Sequence, residues 1–211
     1  MRIDVFYDTV CPWCRIGKRS LQLALEGWDG EPVSVRYRSF FLDPDMPPEG
    51  MDFMTNLLAK GGGRLRAEDF FEPPTQSGAS MGLTFHFDAI TRAPNTMLSH
   101  RLVSLAPDEL QGAVLDAVYA AYFEHGQDIG DIDVLVELAR SAGMDADETR
   151  AALQGDAGEG AVLADVNYAQ QVGISAVPFF IFNEKYAFSG AQPPHSIRNV
   201  MAQVAAEDPG Q

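Results

Sequence analysis

Cys11-Pro12-Trp13-Cys14 joins a predicted strand to a predicted helix, and it holds both cysteines of the 211-residue chain. Before it, Ile3, Val5 and Tyr7 alternate with more polar residues, which is typical of a strand. After it, apolar residues recur at helical spacing as far as Trp28. Because proline suits the first turn of a helix, the pattern predicts Cys11 at the N-cap.

A cysteine at the start of a helix is a candidate nucleophile. The unpaired amides and the positive end of the helix dipole favour a thiolate over a thiol at this position. The thiolate is the species that attacks in disulfide exchange. Cys14, one turn further along, is placed to attack the sulfur of Cys11 and to resolve a mixed disulfide. The pair therefore predicts a redox-active disulfide between Cys11 and Cys14.

Zinc binding and a structural disulfide are the competing interpretations of the cysteine pair. A structural disulfide usually closes a longer loop, because the entropy that it removes from the unfolded chain grows with loop length. A zinc site needs two further ligands, and the four histidines lack the spacing of a zinc finger: His86, His100, His125 and His195. We therefore expect no metal site, and we interpret His100 as a structural histidine rather than a catalytic one.

Strand patterns occur at both ends of the chain, with helical patterns between them. Residues 33–37 alternate like a strand, and a right-handed crossover would make this strand parallel to the first. From about Met51 to Val172 the sequence predicts helices and loops. Residues 178–182 and 186–188 then predict a hairpin, followed by a helix that opens at Pro193-Pro194. Two segments of the helical region are predicted as loops: Gly61-Gly62-Gly63 and Glu72-Pro73-Pro74-Thr75-Gln76-Ser77-Gly78.

The charge balance restricts the partners of the chain. Lys and Arg number 15 against 30 Asp and Glu, giving a formal net charge of −15, so nucleic acids and anionic membranes are poor partners. Hydrophobic residues make up 46%, enough for a globular core. The sequence lacks a run of about 20 apolar residues, and Met1–Asp8 does not resemble a signal peptide. We therefore expect a cytoplasmic protein.

Three motifs resemble the DsbA family, and specifically its FrnE-like branch. They are Cys11-Pro12-Trp13-Cys14-Arg15-Ile16-Gly17-Lys18-Arg19, Gly173-Ile174-Ser175-Ala176-Val177-Pro178-Phe179-Phe180 and Phe188-Ser189-Gly190-Ala191-Gln192-Pro193. Asn95-Thr96 and His100-Arg101-Leu102 resemble a recurring segment of that branch's helical insertion. The resemblance covers essentially the whole chain.

The resemblance implies an α/β protein, in which a thioredoxin-like fold is interrupted by an all-helical insertion domain. The core would comprise residues 1–45 and 173–211, and the insertion residues 46–172. The resemblance also implies a cis peptide bond between Val177 and Pro178 that faces the cysteines. There the backbone of Val177 would bind an extended substrate, together with Pro12, Trp13 and Pro178. Without the resemblance, Pro178 would be interpreted as the first residue of a strand.

The function that the resemblance implies is thiol–disulfide exchange with protein or small-molecule substrates. It implies no bound cofactor, with glutathione as a candidate co-substrate.

A second hypothesis is a glutathione-dependent isomerase or transferase, similar to 2-hydroxychromene-2-carboxylate isomerase or the kappa class, in which a serine typically stands in the place of Cys11. A third is a non-enzymatic binding or holdase module. The sequence leaves the direction of electron flow, the physiological substrate and the oligomeric state open.

Overall fold

The computed structural model describes residues 1–60 and 66–207, so the Gly61-Gly62-Gly63 segment predicted as a loop lies outside the described residues. The strands in the described residues are β1 (Arg2–Tyr7), β2 (Ser34–Ser39), β3 (Met51–Asp52), β4 (Arg92–Ala93), β5 (Phe179–Phe182) and β6 (Tyr186–Ser189). The helices are α1 (Pro12–Glu26), α2 (Phe53–Lys60), α3 (Ala67–Ala79), α4 (Met97–Leu105), α5 (Asp108–Phe123), α6 (Ile132–Ser141), α7 (Ala146–Gln154), α8 (Glu159–Gln171) and α9 (Pro194–Glu207).

The central sheet is built from the two ends of the chain. Its strand order is β2-β1-β5-β6, with β1 and β2 parallel and the other two pairs antiparallel. Val5 of β1 pairs with Tyr37 on one side and with Phe180 on the other. The parallel opening pair and the closing hairpin are therefore confirmed, as is the α/β thioredoxin-like fold.

Helices α1 and α9 pack together against this sheet. The buried side chains of this core come from both ends of the sequence: Ile3, Val5, Leu21, Ala24, Phe180, Phe182, Ile197, Met201 and Val204. Buried apolar area contributes about 25 cal/mol per Å² to folding. The core thus holds residues 180–204 against the first strand and helix.

The insertion between β2 and β5 packs on the core through a second cluster of buried residues. Tyr7, Cys11, Cys14 and Ile16 from the core share this cluster with buried apolar residues of α5, which include Val114 and Val118. The cysteine pair therefore lies at the junction between the core and the insertion. A short antiparallel pair, β3 and β4, lies among the insertion helices, and the sequence patterns did not indicate it. The helices of the described residues are all too short or too polar to cross a membrane.

The prediction of a loop at residues 72–78 is wrong, because this segment lies inside α3. Pro74 and Gly78 are buried there. The ring of Phe85 packs so closely on Gly78 that a Cβ at position 78 would lie 2.4 Å from the nearest ring atom. Phe71 of the same helix stacks on Phe87, with 4.7 Å between the ring centroids. Packing between distant segments thus outweighs the cost of prolines in a helix interior.

Candidate functional site

The backbone around Cys11 has the geometry that the motif predicts. Cys11 is the N-cap of α1, with Pro12 as the first helical residue, and its Sγ accepts a hydrogen bond of 3.3 Å from the backbone N–H of Cys14. The backbone N–H of Cys11 donates to the carbonyl of Asp8 at 3.2 Å, which fixes the loop between β1 and the helix. The sulfur therefore sits among the free amides and the positive dipole of a helix start, where negative charge is stabilised.

The two thiols differ in their surroundings. Both cysteines are unbonded and buried, with 4% of Cys11 and 1% of Cys14 exposed. Burial raises the pKa of Cys14 well above its ordinary value, and the hydrogen bond to Cys11 raises it further. Cys14 therefore holds its proton at neutral pH, which suits a thiol that acts second.

The Val177-Pro178 segment faces the cysteines. The thiol of Cys11 donates to the carbonyl oxygen of Val177 at 3.8 Å, and the Val177–Pro178 peptide bond is cis. Pro178 lies against Gly17 of α1, where a Cβ would come within 2.8 Å of the proline Cγ. A glycine at position 17 therefore permits the helix and the proline loop to approach each other next to Cys11.

The structure thus brings together Cys11, Cys14, Val177 and Pro178, which the sequence nominated as site residues. Pro12 is half-buried beside them, whereas Trp13 is 39% exposed. Within residues 1–60 and 66–207, no group of three His, Cys, Asp or Glu side chains is arranged to hold a metal ion. The substrate-binding roles of these residues remain predictions.

A buried polar pair behind Cys11 escaped the sequence analysis. The Oδ1 atom of Asp8 lies 3.2 Å from Nε2 of His100, and its Oδ2 accepts from the backbone N–H of Leu42 at 2.8 Å. Both side chains of the pair are fully buried, and the His100 ring packs against the ring of Tyr7 with 4.9 Å between centroids. The only sequence signal for this pair was an aspartate at the end of a buried strand, three residues before Cys11.

Tyr119 connects the insertion to the same loop. Its hydroxyl donates to the carbonyl of Asp8 at 3.3 Å, and the side chain is fully buried. Burial raises the pKa of Tyr119 well above its ordinary value, with a further contribution from the charge of the two cysteines. Tyr119 therefore stays protonated and donates its hydrogen bond to the loop that precedes Cys11.

Comparison with known proteins gives consistent matches along nearly the whole chain. A family model described as DSBA-like thioredoxin domain matches residues 2–202. A probable DsbA oxidoreductase from Streptomyces coelicolor has a TM-score of 0.88 and 34% identity, covering 98% of this chain and 91% of that chain. The uncharacterized protein YwbO of Bacillus subtilis is 27% identical over 186 residues, which are 87% of this chain and 88% of that protein.

A 2-hydroxychromene-2-carboxylate isomerase is also similar in structure. Its TM-score is 0.73, over 99% of this chain and 98% of that chain, at 12% sequence identity. At this level of identity the likeness shows a shared fold and carries no information about the reaction.

Proposed function

This chain belongs to the family of DSBA-like thioredoxin domains, as its motifs predicted, and we propose that it is a thiol–disulfide oxidoreductase acting through Cys11 and Cys14. The observation that carries the proposal is the contact of 3.3 Å between the N–H of Cys14 and the sulfur of Cys11 at the start of α1. This contact stabilises a thiolate at position 11 and keeps the second thiol within one helical turn.

The exchange proceeds in two displacements. In the reducing direction, the Cys11 thiolate attacks a substrate disulfide, one substrate thiolate leaves, and a mixed disulfide forms at Cys11. The Cys14 thiolate then attacks the sulfur of Cys11, the second substrate thiolate leaves, and the Cys11–Cys14 disulfide forms. Two electrons pass from the cysteine pair to the substrate. The oxidising direction is the reverse of these steps.

We further propose that the substrate lies along the Val177-Pro178 segment. The carbonyl of Val177 is 3.8 Å from the sulfur of Cys11, so a chain that is joined to this sulfur passes directly beside it. An extended peptide there can form backbone hydrogen bonds with Val177, as in β-strand addition. Trp13, the exposed residue of the Cys11-Pro12-Trp13-Cys14 motif, offers an apolar surface for the same substrate.

A turnover assay tests this function. We expect the protein to catalyse reduction of bis(2-hydroxyethyl) disulfide, or of the disulfides of insulin, with glutathione as the reductant. Cys11→Ser should abolish catalysis with both substrates, because the attacking sulfur is lost. Catalysis by Cys11→Ser at the rate of the unchanged protein would contradict the proposal, and no rate above the uncatalysed reaction in either protein would favour a binding or holdase module.

The isomerase hypothesis makes a different prediction for the same variants. In the isomerase and kappa class of this hypothesis a serine typically stands in the place of Cys11, whereas this chain has cysteines at positions 11 and 14. Glutathione-dependent isomerisation of 2-hydroxychromene-2-carboxylate that survives Cys11→Ala would overturn the proposed redox function. Activity that requires Cys11 in disulfide exchange would support it.

A further inference from the structure

An apolar cavity of about 180 Å³ lies next to Cys11, between the core and the insertion. On the core side its wall includes Val10 and Pro12, the two chain neighbours of Cys11. On the insertion side, six aromatic rings line it: Phe53, Phe70, Phe71, Phe87, Tyr122 and Phe123. The cavity thus begins at the residues that hold the proposed nucleophile.

The size of the cavity fits one aromatic ring. An engineered protein cavity of about 150 Å³ with an apolar lining binds benzene, so a cavity of about 180 Å³ has room for a six-membered ring with a small substituent. The rings in the wall already pack edge to face, as Phe87 and Phe123 do at 5.9 Å between centroids, and they offer a bound ring the same contacts.

Five polar residues also line the cavity, and one of them offers a buried carboxylate: Asp8, Asp43, Asn56, Lys60 and Thr96. Asp8 lines the cavity, and its side chain is 1% exposed. Its Oδ2 accepts from the N–H of Leu42 at 2.8 Å, and a carboxylate oxygen can accept two hydrogen bonds, so a further donor can be bound. The nearby Lys60 is engaged by Asp43 at 3.1 Å. A ligand with a hydroxyl group on its ring is therefore favoured, whereas an anion would be repelled.

We propose that this cavity binds a phenol-type ring of a small aromatic disulfide, with the ring hydroxyl donating to Asp8 while the disulfide is attacked by Cys11. The inference rests on the proposed function and names its substrate class. Val10 and Pro12 line the cavity and flank Cys11 in the chain, so the group that we place in the cavity is a ring held one or two bonds from the sulfur. A ring carried on a peptide would be separated from the sulfur by several backbone bonds.

The reaction consumes one aryl disulfide. The thiolate of Cys11 attacks one sulfur, the S–S bond breaks, and the first aryl thiolate leaves and takes up a proton from water. Cys14 then attacks the sulfur of Cys11, the second aryl thiolate leaves, and it takes the proton that Cys14 releases. The cysteine pair is oxidised to a disulfide, and the aryl disulfide is reduced to two aryl thiols.

The kinetic test uses the Cys14→Ser protein, in which the first step can be measured alone. The rate of mixed-disulfide formation at Cys11 is compared for bis(4-hydroxyphenyl) disulfide, diphenyl disulfide and bis(2-hydroxyethyl) disulfide. Each rate is divided by the rate of the same disulfide with free glutathione, which removes differences in intrinsic reactivity. We expect the normalised rate of the hydroxylated aryl disulfide to exceed that of diphenyl disulfide on the order of tenfold, because a hydrogen bond to a charged group stabilises a complex by about that factor.

Two leucines of α2 give a matched pair of variants. Leu57 lines the cavity, whereas Leu58 is 46% exposed and does not. Because the described helix α2 has no buried residue, a larger side chain there leaves the core intact. We expect Leu57→Trp to remove the preference for both aryl disulfides and Leu58→Trp to retain it. Asp8→Asn should reduce the advantage of the hydroxyl group and leave the ring preference in place.

Binding of phenol alone separates the two proposals. We expect phenol to bind the Cys11→Ser protein more tightly than fluorobenzene does, as measured by NMR titration, and Leu57→Trp to abolish binding. Equal normalised rates for the three disulfides, with no binding of phenol, would overturn the cavity assignment while disulfide exchange stands. Binding of phenol without reaction of any disulfide at Cys11 would support the cavity and contradict the exchange function.

Discussion

Pro178 packs so closely on Gly17 that a Cβ at position 17 would lie 2.8 Å from the proline Cγ and 3.3 Å from a ring atom of Phe180. The helix that carries the cysteines and the loop that carries Val177 therefore pack together at Gly17, which has no side chain to keep them apart. This contact fixes the distance between the sulfur of Cys11 and the carbonyl of Val177.

Substituting Gly17 tests this contact. We expect Gly17→Ala to lower the free energy of unfolding by about 1–3 kcal/mol, as overpacking does, despite the better helix propensity of alanine. It should also slow mixed-disulfide formation at Cys11, because Pro178 and Val177 must move. Urea unfolding and the rate with bis(2-hydroxyethyl) disulfide measure the two effects.

Gly160 provides the control for this substitution. It lies in α8, and a Cβ there would have no neighbouring heavy atom within 4 Å among the described residues. Gly160→Ala should therefore keep or raise the stability, by up to about 1 kcal/mol. Equal effects of the two substitutions would show that the contact with Pro178 is unimportant.

The pKa of Cys14 predicts a pH dependence of the second displacement. Burial raises this pKa well above the ordinary value of a cysteine, so the thiolate of Cys14 is scarce at neutral pH and becomes more abundant as the pH rises. Release of the second thiol from a mixed disulfide at Cys11 should therefore accelerate from pH 6 to pH 9. Stopped-flow measurement with purified mixed disulfide gives this rate, and a rate that is constant across the range would contradict the prediction.

The buried pair of Asp8 and His100 should contribute to stability. His100→Leu removes the donor that lies 3.2 Å from Oδ1 of Asp8 and leaves a buried carboxylate with one partner fewer. We expect the free energy of unfolding to fall by about 1–3 kcal/mol. His125→Leu is the control, because His125 is exposed and should change the stability by less than about 0.5 kcal/mol. A similar small change for His100→Leu would argue against the pair.

Arg101 of the His100-Arg101-Leu102 segment connects α4 to the end of α7. The buried guanidinium donates to four carbonyls at and beyond the end of α7: Ala152 at 2.7 Å, Leu153 at 3.3 Å, Gly155 at 2.8 Å and Ala157 at 2.7 Å. A cation at this position also complements the helix dipole.

We expect Arg101→Met to reduce the free energy of unfolding by about 3 kcal/mol, because charged hydrogen bonds to buried carbonyls are lost. Arg140→Met is the matched control, since Arg140 is exposed and pairs with Glu137 on the surface. Its cost should stay below about 1 kcal/mol. Thermal unfolding of the two variants under the same conditions measures both losses. Equal losses would contradict the role of Arg101.

The features that could be predicted from the sequence are those with a local signal. The alternation of Ile3, Val5 and Tyr7 and the proline after Cys11 depend on neighbouring residues, and the strand and the N-cap were found correctly. The loop predicted around Pro73 and Pro74 was wrong, because the packing that keeps this segment helical comes from residues elsewhere in the insertion.

The resemblance nominated Val177 and Pro178, but the buried pair behind Cys11 and the apolar cavity could not be predicted, because they depend on distant residues without a local pattern. Asp8 and His100 are separated by 92 positions, and neither has a local pattern that indicates the other. The cavity beside Pro12 is formed by segments between residues 8 and 123, and each of its phenylalanines alone would be interpreted as an ordinary core residue. Such sites appear only when the chain has folded.

The most direct test of the redox function is to map where a disulfide probe attaches. We expect oxidised glutathione to form a mixed disulfide at Cys11 in the Cys14→Ser protein, and mass spectrometry of its peptides to find glutathione at that residue alone. Cys14, which is 1% exposed, should stay unmodified in the Cys11→Ser protein under the same conditions. Attachment at Cys14 with no reaction at Cys11 would contradict the proposed roles of the two cysteines.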